Sequence, residues 1–140
     1  MAQRLLLDTG FWFALYDSGD PYHRHALEVA DVFDVHGLVV PWPTLYETLN
    51  TRLARRRTAI QRFTHLLVSP HVHLLPDEDY RDAALEAVCS PSGPHRALSL
   101  VDAVLRLVVA DGNVQIDTLI TFNPGDFADV CQKAGVEVFP

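Results

Sequence analysis

Four carboxylates stand where the chain changes direction, and their spacing is the chemically suggestive feature of the sequence. Asp8 directly follows the short apolar run Leu5-Leu6-Leu7 and precedes Thr9-Gly10, which reads as a buried strand delivering an acid to its end. Glu47, Asp102 and Asp126 each lie three residues after a capping-type residue, namely Thr44, Ser99 and Asn123. That spacing predicts each of them in the first turn of a helix. The helix dipole and bonding back to the cap account for any one such acid alone. Taken together with a strand-end Asp8, they predict four carboxylates on one edge of a parallel sheet, where ligands collect. Packed carboxylates repel and raise one another's pKa, and an oxygen-preferring cation such as Mg²⁺ or Mn²⁺ removes that penalty without recruiting Cys or His.

The elements that must position these acids alternate in type. A first helix is expected from Thr9, as its cap, to about Asp17, and a second from about Pro21 to Val35 with Ala26, Val29, Ala30 and Phe33 as its apolar stripe. Leu38–Val40 reads as a second strand. A third helix opens at Trp42 and runs to roughly Arg56, a fourth spans Thr58 to Leu67 or Val68, and Val72–Leu75 is a third strand. A helix to about Cys89, the breaker-rich loop Ser90–Pro94 and a strongly apolar helix from Ser99 to Ala110 follow. A fourth strand ends at Thr121, a last helix opens at Asn123-Pro124-Gly125-Asp126, and Val136–Phe139 closes the chain. The expected fold is an α/β sandwich with a mostly parallel central sheet flanked by helices, in one domain over residues 1–140.

Composition narrows the function classes. With 49% hydrophobic and 21% charged residues, the 140-residue chain matches an ordinary globular protein rather than a disordered one. No apolar run is long enough to span a bilayer and the amino terminus lacks a secretory signal, so a soluble, cytoplasmic protein is expected. Cys89 and Cys131 are far apart and without CxxC spacing, which predicts reduced thiols rather than a disulfide or a zinc site. A net charge of -7 argues against broad attachment to nucleic acid, but carboxylates that hold metal contribute to that charge without barring a nucleic-acid enzyme.

The segments Leu-Leu-Asp8-Thr, Pro-Thr-Leu-Tyr-Glu47-Thr-Leu, Ser-Leu-Val-Asp102-Ala and Ile-Thr-Phe-Asn-Pro-Gly-Asp126-Phe, in this order, resemble those of PIN-domain proteins. Within that family the chain is similar to the VapC-type toxins of toxin-antitoxin pairs. The resemblance implies a PIN-like three-layer sandwich and a metal-dependent endoribonuclease with Asp8, Glu47 and Asp102 as central acids and Asp126 as the fourth. Many relatives carry an acid where this chain has Asn123, so the fourth metal-facing position falls to Asp126, to the Asn123 carbonyl, or to neither. Asp117 lies toward the wrong edge of the sheet. The resemblance further implies hydrolysis of an RNA phosphodiester, a homodimer, and a small antitoxin that covers the acidic pocket.

Other residues carry weaker expectations. Arg52, Arg55, Arg56, Arg57 and Arg62 form the basic concentration of the chain; Arg52, Arg55 and Arg56 are the candidates to hold RNA phosphates, against a solvated helix face or a protein contact. Thr9 and Thr121 are expected to support the acids through their hydroxyls. His95 and Arg96 could lie at the rim of the site, with surface or capping roles favoured. His71 and His73 share one face of a strand but lack a third ligand. Phe11, Trp12, Phe13, Trp42 and Phe127 are expected in the core, with Trp12 the one that could stay exposed for stacking. Two rivals stand beside the nuclease: an inactive PIN-like binding module, and a dimeric aspartic protease built on Asp8-Thr9-Gly10, whose fold would be made of β-strands rather than these helical periods.

Overall fold

A computed structural model of the chain describes residues 2–90 and 97–140. The core of the predicted loop, Pro91–Pro94, together with His95 and Arg96, lies outside the described residues. Five strands form one sheet: β1 Arg4–Leu7, β2 Gly37–Pro41, β3 Val72–Leu75, β4 Thr118–Ile120 and β5 Glu137–Phe139. Their order is β3-β2-β1-β4-β5, and every pairing is parallel. The chain therefore winds outward from β1 in one direction through β3, then returns to β1's other side with β4 and β5. The crevice between the carboxyl ends of β1 and β4 is the point where that winding reverses, the place where open α/β sheets bind ligands.

The helices are α1 Thr9–Tyr16, α2 His23–Ala30, α3 Trp42–Thr48, α4 Thr51–Ala54, α5 Arg57–Leu67, α6 Arg81–Cys89, α7 Leu100–Ala110 and α8 Ala128–Ala134, with 3₁₀ turns at Phe33–Val35, Glu78–Tyr80 and Pro124–Asp126. Alternate strand residues divide between two cores, as the two-residue period of a strand requires. Leu5, Leu7, Leu38, Val40 and Ile120 pack with Phe11, Trp12, Ala26, Phe33 and Phe63 on one face. Leu6, Val39 and Leu119 pack with Val104, Leu105, Val108 and Phe127 on the other. Covering both faces explains why the strands read as unbroken apolar runs.

Several expected boundaries shift for identifiable reasons. The long second helix stops at Ala30 and gives way to the 3₁₀ turn. The third expected helix breaks after Thr48, and Asn50 starts α4 by accepting bonds from the backbone N–H groups of Arg52 and Leu53. Asn is a strong cap, and here it interrupts a stretch whose periodicity alone reads as continuous. The last helix begins at Ala128, because Phe127 at φ -131° leaves helical geometry. Gly135, at φ 71°, ends it in the left-handed conformation that favours glycine.

Trp12 is fully buried, with its ring 4.8 Å from Phe63 between centroids, so no base can stack on it. Trp42, expected in the core, is 40% exposed beside Tyr46, since it occupies the first position of α3 and faces out from the helix start. Cys131 is buried and Cys89 exposed, and neither forms a disulfide. Among the described residues no helix is long and apolar enough to cross a membrane.

Candidate active site

Asp8 stands at the carboxyl end of β1 and serves as the N-cap of α1, a role expected of Thr9. Its Oδ1 accepts the Thr9 N–H at 2.7 Å, and its Oδ2 accepts the Thr121 hydroxyl at 2.9 Å. The Thr121 Oγ1 in turn accepts the Asn123 N–H at 3.0 Å. Thr121 directly follows β4, so this bond crosses the crevice between the two strand ends. Thr9 becomes the first residue of α1 and turns its hydroxyl to Glu47, donating to Oε1 at 2.6 Å. A single residue thus links two of the four acids, with its N–H on Asp8 and its O–H on Glu47. Both threonine hydroxyls donate to carboxylates.

Glu47 reaches this place by a route other than the predicted one. Pro41 in extended geometry is the N-cap of α3, and Pro43 sits in the first turn, so the helix starts before Thr44. Thr44 is inside it and donates its hydroxyl back to the Pro41 carbonyl at 2.7 Å. Glu47 therefore lies in the last turn of α3, one residue before its end. A carboxylate there opposes the helix dipole. Capping cannot account for it, which leaves the contact with Thr9 and the proximity to the other acids.

Asp102 conforms to its expectation: Ser99 is the N-cap of α7, and its hydroxyl accepts the Asp102 N–H at 3.0 Å. Asp126 closes the 3₁₀ turn Pro124–Asp126 rather than the first turn of a longer helix, and Asn123 makes no side-chain cap there. Asp117, set aside on the sequence, accepts the Arg4 N–H at 2.8 Å at the opposite edge of the sheet.

The four acids feel one another. Burial pushes Asp8 up to about 6, opposed by the bonds from Thr121 and Thr9, with the negative charges of Asp102 and Glu47 adding to the rise. Burial also raises Asp102, the Ser99 bond resists it, and Asp126 and Glu47 push in the same upward direction. Yet among the described residues no three of His, Cys, Asp and Glu stand close enough to enclose one ion. The expected convergence is electrostatic rather than a finished cage. Glu47 is tied to Thr9, while Asp8 is held by two donors, so neither swings freely toward the others. An oxygen-only donor set of this kind suits Mg²⁺, which keeps several waters and uses one or two carboxylates directly.

Arg106 went unnoticed in the sequence. It donates to the Asp126 carbonyl at 2.8 Å and to both carboxylate oxygens of Asp129 at 2.7 Å, so it fastens the Asp126 turn to α7. Asp129 is held well below the usual carboxylate range by this bond. Its one available signal was the four-residue spacing from Asp102 along a helix. The other basic candidates lie apart from the acids: Arg52 and Arg56 pair with Asp17 at 3.4 and 3.8 Å, just past the far end of α1. His73 is exposed, and His71 Nδ1 shares a 2.8 Å hydrogen bond with Ser69 Oγ, so the two form no metal clamp.

The model of the PIN domain family matches residues 5–133. The chain belongs to the PIN-domain family. This PIN-domain chain superposes on VapC20 from Mycobacterium tuberculosis, described as a sarcin-ricin loop cleaving toxin, with a TM-score of 0.70 at 24% identity over 89% of this chain and 94% of that one. It also superposes on VapBC2 from Rickettsia felis bound to a DNA fragment from their promoter, with a TM-score of 0.59 at 10% identity over 97% of each chain. A comparison with curated protein sequences returns no match. The parallel, helix-flanked sheet of this PIN domain removes the aspartic-protease reading of Asp8-Thr9-Gly10, which needs a fold of β-strands.

Proposed function

We propose that this PIN-domain protein is a divalent-metal-dependent endoribonuclease and the toxin of a toxin-antitoxin pair. The observation that supports this reading is Asp8 at the β1 end, where the sheet's winding reverses, raised by burial and by the charges of Asp102 and Glu47, while Asp102 is raised by burial and by Asp126 and Glu47. Uncompensated, that arrangement costs stability, and its natural complement is a cation carrying a phosphate. VapC20, a toxin that cleaves the sarcin-ricin loop, supports RNA as the substrate class.

In the proposed mechanism Asp8, Asp102 and either Asp126 or the Asn123 carbonyl would hold Mg²⁺ or Mn²⁺ partly through waters of the ion, since among the described residues no three acids enclose one ion directly. When bound, the ion supplies a water of lowered pKa and neutralises charge on the phosphate oxygens. Asp8 is oriented by Thr9 and Thr121, which keep its carboxylate pointed out of the β1 end. Glu47 has Oε1 fixed by Thr9 and offers Oε2 to orient the attacking water and accept its proton. Arg52, Arg55 and Arg56 hold the flanking backbone by charge.

The VapBC2 neighbour supports a protein partner. A small antitoxin would cover the acidic pocket and rest on the exposed apolar residues Tyr22, Leu27, Val32 and Val35 of α2 and its flanks, with the toxin acting as a homodimer. The deciding experiment is cleavage of defined hairpin and single-stranded RNAs, including a sarcin-ricin-type loop, by wild type, Asp8→Asn and Asp102→Ala in Mg²⁺ and Mn²⁺ without antitoxin. Cleavage by Asp8→Asn at the wild-type rate would sink the assignment. Loss of both cleavage and metal stabilisation in the wild type would leave a binding module.

A further inference from the structure

A second site lies at the other end of α1. Between the end of that helix and the start of α5 is a cavity of about 440 Å³, in the size range of small-ligand sites. Its wall includes Arg56, Arg57, Arg62, His23, Tyr16 and Thr58, and among the described residues no carboxylate lines it. In a chain of net charge -7 this is a strong local reversal of sign. Elsewhere Arg81 pairs with Asp77, Arg106 with Asp129, Arg52 with Asp17 and, at the exposed surface, Arg24 with Glu28, while Arg4 donates to the Val114 carbonyl. Among the described residues Arg57 and Arg62 form no ion pair, while Arg56 pairs with Asp17 at 3.8 Å. Arg62 is close enough to Tyr16 to oppose the rise in its pKa that burial causes. One wall is the first turn of α5, where Arg56 as N-cap offers no side-chain acceptor and no acid follows in the first turn.

We propose that this cavity is a phosphate-binding site that takes a backbone phosphate of the RNA strand away from the cleaved bond. Three arginines that line one space, with no carboxylate among its described lining residues, match the charge and the acceptor oxygens of a phosphate, although Arg62 also borders the neighbouring cavity that holds Asp31 and Asp34. The eight residues of α1 separate the cavity from Asp8 by about 12 Å along the helix. The site is therefore distinct from the four acids and would hold a phosphate a few nucleotides along the strand. Only the source of that phosphate rests on the nuclease reading; the site itself does not.

The test is a pair of titrations of the full chain without divalent cation, followed by amide chemical shifts of Tyr16, Arg57 and Thr58. The first probe is inorganic phosphate against chloride at matched ionic strength, and the second is an uncleavable 2′-O-methyl RNA pentanucleotide. Saturable shifts with both probes are expected, each weakened at least tenfold by R57Q/R62Q, which removes two charge-assisted donors from exposed positions. The same variant is expected to keep the stabilisation by Mn²⁺ that depends on Asp8. Binding of phosphate with no response to the oligonucleotide would assign the site to a free phosphate ligand and overturn the strand assignment. No saturable phosphate response, or one unchanged in R57Q/R62Q, would overturn the site altogether, whatever the cleavage assays with Asp8→Asn report.

Discussion

The Thr121 hydroxyl donates to Asp8 Oδ2 at 2.9 Å, joining two residues 113 positions apart and closing the crevice between β1 and β4. The bond favours the ionised form of Asp8, against burial that pushes it up to about 6. Thr121→Val keeps the shape and removes the donor. Asp8 should then titrate higher, by roughly one pH unit for the loss of a hydrogen bond to a charged group. Carboxyl ¹³C shifts followed through a pH titration measure this directly, and an unchanged Asp8 midpoint would show that the bond contributes nothing to its ionisation.

Asp8 also sets a pH dependence of folding. Its carboxyl titrates near 6 when folded and near 3.8 in its unperturbed state. Between those values the folded chain binds the proton that the unfolded chain has released, so stability falls as pH rises through that window. Above pH 6 the loss reaches roughly 3 kcal/mol as an order of magnitude. Asp8→Asn should therefore melt higher than metal-free wild type at pH 7.5, with the difference gone near pH 4. Mn²⁺ should raise the wild-type melting temperature at pH 7.5 and leave Asp8→Asn nearly unmoved. Equal responses of the two proteins to Mn²⁺ would remove Asp8 from the metal site.

Arg106→Ala should release the Asp126 turn from α7. Losing charge-assisted bonds to Asp129 and to the Asp126 carbonyl is expected to cost about 1–3 kcal/mol, discounted toward the lower end because Asp129 is exposed. The functional consequence should exceed the stability loss: weaker Mn²⁺ binding with the fold retained, measured by calorimetry beside a urea melt. Arg106→Lys, which cannot form the two-pronged contact, should recover little of it. Wild-type metal affinity in Arg106→Ala would show that the tether does not matter to the site.

Arg55→Ala/Arg56→Ala tests the proposed grip on flanking phosphates. Removing two phosphate contacts on a single strand should lower the slope of log affinity against log salt by roughly 1.4 and weaken binding similarly for different RNA sequences. Arg56 already shares Asp17 with Arg52, so its part in that loss should be the smaller. Filter binding of uncleavable RNA between low and moderate salt gives both quantities. A parallel shift with the slope unchanged would assign these arginines to a role other than phosphate contact.

Local signals sufficed where one short stretch settles the structure. Leu5-Leu6-Leu7-Asp8 announces a covered strand with an acid at its end, and Ser99 three residues before Asp102 announces a cap, because both depend on neighbours in the chain. Thr44 and Glu47 show the same spacing and mislead, since Pro41 and Pro43 start the helix earlier and turn a first-turn acid into a last-turn one. Trp42 misleads for a related reason: its hydrophobicity suggests the core, but its place at the helix start turns it outward.

By itself the sequence determined the strand-and-helix alternation, the parallel sheet, the strand-end place of Asp8 and the helix-start place of Asp102, since apolar runs and capping residues act over a few positions. The tertiary structure alone decided the bonds from Thr9 to Glu47, from Thr121 to Asp8 and from Arg106 to the Asp126 turn, and the gathering of Arg56, Arg57 and Arg62 around one cavity. All of these depend on how α1 meets α3 and α5, how β1 lies against β4, and how α7 lies against α8. Side-chain geometry between such elements is set by core packing at long range, which no local spacing encodes.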